Sequence, residues 1–171
     1  QADVTGDYMF TWTFETNTLT VTYPEAGVQQ CGNDLYWSLA NGTLTITGSG
    51  AMYDYSRATA PWYIERSSIK NLSLPEGLTH IGQYAFYYCT SLESIEIPAS
   101  VTYLDYAAFK GCEALSDIRM LGNDACLDHG VFDKTEYVGN RDNWEDGCLY
   151  IGNYLVATDK EISGTVYVKP G

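Results

Sequence analysis

Basic residues are scarce. Nine lysines and arginines stand against 22 aspartates and glutamates, and the 171 residues carry a formal net charge of −13. A nucleic-acid partner needs clustered lysine and arginine, so that class is excluded. Docking on anionic lipid is excluded by the same charge. No apolar run approaches the ~20 residues of a membrane span, so membrane insertion is not expected. Histidine occurs only as His80 and His129, and no C-x-x-C pair is present, so neither a metal nor a cofactor is expected. A glycine-rich phosphate loop and a Gly-x-Ser-x-Gly elbow are both missing. The chain opens Gln1-Ala2-Asp3 without a basic or apolar leader, so a signal peptide is expected to be absent or already removed.

Aromatic and turn-forming residues are plentiful instead. Fifteen tyrosines, four tryptophans and 16 glycines accompany frequent threonine, a composition that favours strands joined by turns. At 45% hydrophobic, the chain has enough apolar side chain for one packed core.

A repeat of 23 residues organises the middle of the chain. Ile81, Ala85, Phe86, Cys89, Leu92, Ile95 and Ile97 recur as Leu104, Ala108, Phe109, Cys112, Leu115, Ile118 and Met120. A half unit with Ile69, Leu72, Leu74 and Pro75 precedes them. Leu127, Val131 and Phe132 continue the series, which then decays: Thr135 takes the cysteine place and Arg141 the isoleucine place. Ile95 and Ile97 alternate with Ser94 and Glu96, the period of a strand with one buried face. Ala85, Phe86 and Cys89 are spaced for a helical turn. One strand and one turn per repeat predict stacked coils.

The run Ala85 to Thr102, reading A-F-x-x-C-x-x-L-x-x-I-x-I-P-x-S-V-T, resembles the BspA-type leucine-rich repeat of bacterial surface proteins. The segment from Cys31-Gly32-Asn33 to Pro61-Trp62-Tyr63 resembles the leader that precedes such arrays, and 143–155 resembles an insertion found within them. The resemblance implies a β-rich α+β fold: a leucine-rich-repeat solenoid of ~23-residue coils. Expected boundaries are 1–65 for an N-terminal β-hairpin cap and 66–171 for the solenoid, with a hairpin insertion at about 140–160.

The front of the chain repeats itself at 25 residues. Trp12-Thr13-Phe14 with Leu19-Thr20-Val21-Thr22 returns as Trp37-Ser38-Leu39 with Leu44-Thr45-Ile46-Thr47. Two hairpins are predicted, turning at Asn17-Thr18 and Asn41-Gly42, in one small antiparallel sheet over the first coil. Trp62 is expected between that sheet and the coils. Gly152-Asn153 predicts a further hairpin, and Val166 to Gly171 reads as a last strand or the start of a coil, with Tyr167 facing outward.

Chemistry is thin. Cys89 and Cys112 share one repeat position and read as small buried apolar residues; Cys31 adds a third thiol, and Cys126 and Cys148 form a candidate disulfide. Cys126 and His129 are spaced for a thiol–imidazole pair, though such pairs are defined by geometry. Asp54, Glu65, Glu145 and Asp146 are candidate paired carboxylates. Asp142, Asn143, Glu145 and Asp146 are candidate calcium ligands off the EF-hand spacing. None of these assembles a nucleophile, a base and an oxyanion site, so no enzyme is expected.

Two faces remain for binding. The sheet side presents Asn71, Ser73, Ser94, Glu96, Asp117 and Arg119. The coil side presents Tyr87, Tyr88 and Tyr106, with Tyr103 grouped among the variable tyrosines. The resemblance implies a secreted or surface-bound bacterial protein that adheres to a protein ligand. The alternatives are a carbohydrate-binding module using surface tyrosine and tryptophan, and a passive spacer within a longer polypeptide.

Overall fold

The computed structural model describes residues 29–159 and the paired backbone of Met9–Thr13 and Thr18–Thr22. These two segments, β1 and β2, pair antiparallel with Trp12 opposite Leu19. Thr18 lies opposite Thr13 within β2, not in a two-residue turn as Asn17-Thr18 had suggested. Residues 14–17 and the predicted strand 166–171 lie outside the described residues.

β3 (Gln29–Gln30), β4 (Gly32–Ala40) and β5 (Thr43–Met52) form an antiparallel meander. Asn41-Gly42 makes the expected turn, with φ of +51° and +76° as a type I′ turn requires. Among the described residues the two hairpins do not share a sheet: β1 pairs with β2, whereas β5 leads into the repeats.

β5 starts two rows of parallel strands. Its first half pairs with β6 (Asn71–Ser73), Leu44 opposite Leu72. Its second half pairs with β7 (Leu78–Ile81), Ala51 opposite His80. Between the halves Gly48 sits at φ +100°, where a Cβ would lie 1.9 Å from the Asp34 carbonyl oxygen; only glycine permits this bend. The chain continues through β8 (Ser94–Ile97), β9 (Tyr103–Leu104), β10 (Asp117–Met120) and β11 (Cys126–Leu127). β10 pairs with β8, Ile118 opposite Ile95. β7, β9 and β11 form the second row, His80 opposite Tyr103 and Tyr103 opposite Cys126. The sequence pattern announced only the first row. The second is built from strands as short as two residues, too short for alternation to register.

The segments between the rows are successive turns, not the helical turn that Ala85, Phe86 and Cys89 suggested. Tyr84 and Tyr88 have φ of +53° and +57°, and their counterparts Ala107, Gly130, Gly111 and Lys134 are also left-handed, which breaks any helix. The amides there point along the stack. Tyr84, Phe86 and Tyr88 donate to the carbonyls of Tyr106, Ala108 and Lys110, while Phe109 and Gly111 donate to Val131 and Asp133. Helix formation would have orphaned these bonds.

A column of rings runs through the interior. Trp62, Phe86, Phe109 and Phe132 stack with centroids 5.6, 5.0 and 5.6 Å apart and planes within 20° of parallel. All four are buried. Trp62 takes the phenylalanine position at the head of the column. Its Nε1 donates to the Ala85 carbonyl at 2.7 Å, and its edge meets Trp37 from β4 at 5.5 Å. Trp62 thus joins the meander to the repeats, as expected. Cys89 and Cys112 are buried beside the column and unbonded to each other.

At the far end Thr135, at the decayed cysteine position, is buried and caps the short helix α1 (Glu136–Gly139). Arg141 replaces the isoleucine that would begin another first-row strand. The chain forms instead a three-stranded antiparallel sheet of β12 (Trp144–Glu145), β13 (Cys148–Ile151) and β14 (Tyr154–Thr158), turning at Gly152-Asn153 as predicted. Leu149 and Ile151 are buried.

Candidate functional site

The sheet row is arranged as its alternation predicts. Asn71, Ser73, Ser94, Glu96, Asp117 and Arg119 are all exposed, while Ile95 and Ile118 between them are buried. Arg119 is not a free anchor. Its guanidinium lies 3.1 Å from Glu96 Oε1 and 3.5 Å from Asp117 Oδ2, so the charges of the row satisfy one another. Such exposed pairs contribute about 0–1 kcal/mol.

The turn side carries a continuous aromatic cluster. The rings of Tyr84 and Tyr87 lie 5.2 Å apart, Tyr84 and Tyr106 5.4 Å, and Tyr87 and Tyr88 4.6 Å, each edge to face. Tyr106 continues to His129 at 4.6 Å. All four tyrosines are half-buried. Two cations border the cluster. Arg57 hydrogen-bonds the Tyr84 side chain, which with the nearby phenols raises its pKa further. Lys110 bonds Asp133 Oδ2 at 2.8 Å, which raises its pKa, and it lies near Tyr106 and Tyr87. Tyr88 is laid flat over Gly111 of the next coil, where a Cβ would meet the ring at 2.7 Å.

Sequence reasoning named Tyr87, Tyr88 and Tyr106 but missed Tyr84, whose counterparts are Ala107 and Gly130. It also grouped Tyr103 with them. Tyr103 is a strand residue of β9, and its ring lies 5.2 Å from His80 in the second row.

The remaining candidates do not converge on a reaction. His129 Nδ1 is 2.6 Å from Asp128 Oδ1, so the imidazole engages that carboxylate and the Cys126–His129 pairing is not formed. The His129 backbone N–H, followed by its ring, holds Asp128 below the usual carboxylate range. All five thiols are free; Cys126 is exposed and Cys148 buried, so that disulfide is not made. Glu145 and Asp146 flank the β12–β13 turn, and Asp146 has φ +51°. Asp142 and Asn143 lie in a 3-10 turn where the Asn143 amide donates to the Tyr137 carbonyl. Among the described residues, the acids of 142–146 do not gather into a group with metal-ligand spacing, so the calcium reading of that loop finds no support. Asp54 is drawn to His80 and Asp105, away from Glu65 and the 145–146 turn.

No curated protein matches the chain. A solved leucine-rich repeat protein from Eubacterium ventriosum has a TM-score of 0.50 to it at 22% identity, over 61% of this chain and 34% of that one. The matched part is thus about a third of that protein's length, and the likeness is one of fold. The model of the BspA-type leucine-rich repeat region matches six copies over residues 62–162. The chain belongs to the BspA-type leucine-rich repeat family.

Proposed function

We propose that this chain is a non-catalytic binding module of a bacterial surface or secreted protein, and that the tyrosine cluster of its turn side receives a protein ligand. Repeat families of this kind generally serve protein–protein interaction. In this reading, residues 66–171 form a short solenoid, and residues 1–65 supply its N-terminal cap. The parallel registers that step coil by coil from β5 support that arrangement.

The observation that carries the site is the edge-to-face packing of Tyr84 and Tyr88 with Tyr87 and Tyr106. Tyr84 and Tyr88 are both left-handed, which costs a non-glycine residue about 1–2 kcal/mol. Neighbouring coils carry Ala107 and Gly130 in place of Tyr84, and Gly111 and Lys134 in place of Tyr88, all left-handed, so the coil sets this backbone but does not require tyrosine there. Tyrosine supplies large contact area at small entropic cost, and edge-to-face packing fixes the rings before a partner arrives. Arg57 borders this face, while Lys110 is neutralised by Asp133. A ligand on the sheet side, through Asn71, Ser73, Ser94, Glu96, Asp117 and Arg119, is the second reading; the exposure of all six side chains favours it.

A panel of extracellular matrix and cell-surface proteins, together with a glycan array, tests both. With a ligand from the protein panel, Tyr87→Ser with Tyr88→Ser should weaken binding at least tenfold. Glu96→Gln with Asp117→Asn should change it less than threefold. The reverse ranking, with affinity falling steeply as salt rises, would move the site to the sheet row. Binding to glycans alone, lost with the tyrosines, would make the chain a carbohydrate module. Silence on both panels would leave the spacer role.

A further inference from the structure

Asp54, His80 and Asp105 come from three successive levels of the second row, and one ligand atom from each lies within 4.8 Å of the other two. The His80 Nε2 and Asp105 Oδ2 are 3.5 Å apart. That separation is too long and too poorly directed to count as a hydrogen bond, and Nε2, although shielded from solvent, has no hydrogen-bond partner. A buried imidazole nitrogen without a partner is costly unless something else meets it.

The carboxylates are held as ligands are held. Asp54 Oδ1 accepts the Gln83 backbone N–H at 3.0 Å, and Asp105 Oδ1 accepts that of Tyr106 at 2.6 Å. Each bond fixes one carboxylate oxygen, as outer hydrogen bonds do around metal ligands, and in Asp105 the other oxygen is the one nearest the imidazole. Asp105 is buried. Among the described residues no lysine or arginine is paired with Asp54, Asp105 or Asp128.

The geometry points to a divalent-cation site at Asp54, His80 and Asp105, of the class that zinc fills, with water completing the coordination. Zinc binds imidazole and carboxylate at about 2.0–2.2 Å, which places tetrahedral neighbours about 3.4 Å apart. The His80–Asp105 separation already has that value. An imidazole favours borderline first-row cations over calcium or magnesium, which take oxygen-only shells. The ligands are far apart in sequence and carry no local motif, which is why metal-ligand spacing along the chain gave no sign of them. The site does not depend on the tyrosine face.

Titration calorimetry with Zn²⁺ on the tag-free chain, backed by competition with a chromophoric chelator, tests it. One Zn²⁺ per chain should bind, and Zn²⁺ should raise the melting temperature, since a ligand bound only to the folded state stabilises it. His80→Gln and Asp105→Asn should each weaken binding at least tenfold and abolish the thermal shift. His129→Gln and Cys126→Ser should leave both within twofold. If Asp105→Asn does not fold, the half-exposed His80→Gln still decides. The absence of Zn²⁺ uptake overturns the proposal. Uptake unchanged in His80→Gln, stronger Ca²⁺ than Zn²⁺ binding, or loss of binding in the His129 or Cys126 variant also overturns it.

Discussion

Trp62 and Phe86 stack with centroids 5.6 Å apart and planes 15° from parallel, although one lies in the segment leading out of the N-terminal meander and the other in the first full repeat. The column they begin passes through Phe109 to Phe132, so removing an inner ring leaves a cavity bounded by two others. Phe86→Ala and Phe109→Ala should each cost about 3–5 kcal/mol. Repeats lean only on their neighbours, so hydrogen exchange should quicken in the coils on either side of the change. Chemical denaturation measures the first effect; a loss under 1 kcal/mol for Phe86→Ala would mean that the ring column does not hold the coils together.

Cys31, Cys89, Cys112 and Cys148 are buried, and only Cys126 is exposed. Alkylation of the native protein should label one thiol, and denaturation should release four more. Mass spectrometry that finds Cys89 joined to Cys112 would contradict their place as small buried side chains.

Burial pushes the Cys31 thiol up to about 12 and raises Cys112 and Tyr55 as well. An acid whose folded pKa exceeds its unfolded value binds the proton more firmly in the native state. Its contribution is complete below the unfolded value, near 9.0 for Cys31, and is lost as pH rises through the folded one. The melting temperature should therefore hold level up to about pH 8.5 and decline from about pH 9 upward. The slope should be shallower in Cys31→Ala. An alkaline slope identical in that variant would assign the loss to other groups.

Gly111 has φ +78° and faces the Tyr88 ring at a distance no Cβ tolerates. Gly111→Ala should cost about 1–3 kcal/mol by strain and overpacking. Gly139, with nothing within 4 Å and no positive φ, should accept alanine within about 0.5 kcal/mol. Equal effects of the two substitutions in urea titrations would contradict the seating of Tyr88 on its neighbour.

The repeat period, the first strand row, the Asn41-Gly42 and Gly152-Asn153 turns and the place of Trp62 were legible because each rests on local chemistry: apolar alternation, left-handed turn residues, or a ring recurring at a fixed interval. The second row was not legible. Tyr103-Leu104 and Cys126-Leu127 are strands only because the coil beneath offers them carbonyls and amides, and two residues carry no period. The turns read as helical because Ala85, Phe86 and Cys89 have helical spacing. Their amides bond to the next coil instead, a partner that sequence spacing does not reveal. Tyr84 escaped notice for a related reason: its neighbours at that position are alanine and glycine, so nothing marked it as variable and aromatic until the fold set it beside Tyr87 and Tyr106.

The central claim is that the left-handed tyrosines are kept for binding and not for the fold. Tyr84→Gly with Tyr88→Gly tests it most directly. Glycine relieves about 1–2 kcal/mol of strain at each site and gives back about 0.5–1 through its greater freedom in the unfolded chain, while the lost half-buried rings offset the remainder. The account predicts a double variant within a few degrees of the parent in melting temperature and at least tenfold weaker for a protein ligand of the parent. A double variant that melts far lower yet binds that ligand unchanged would make the tyrosines structural and contradict the account.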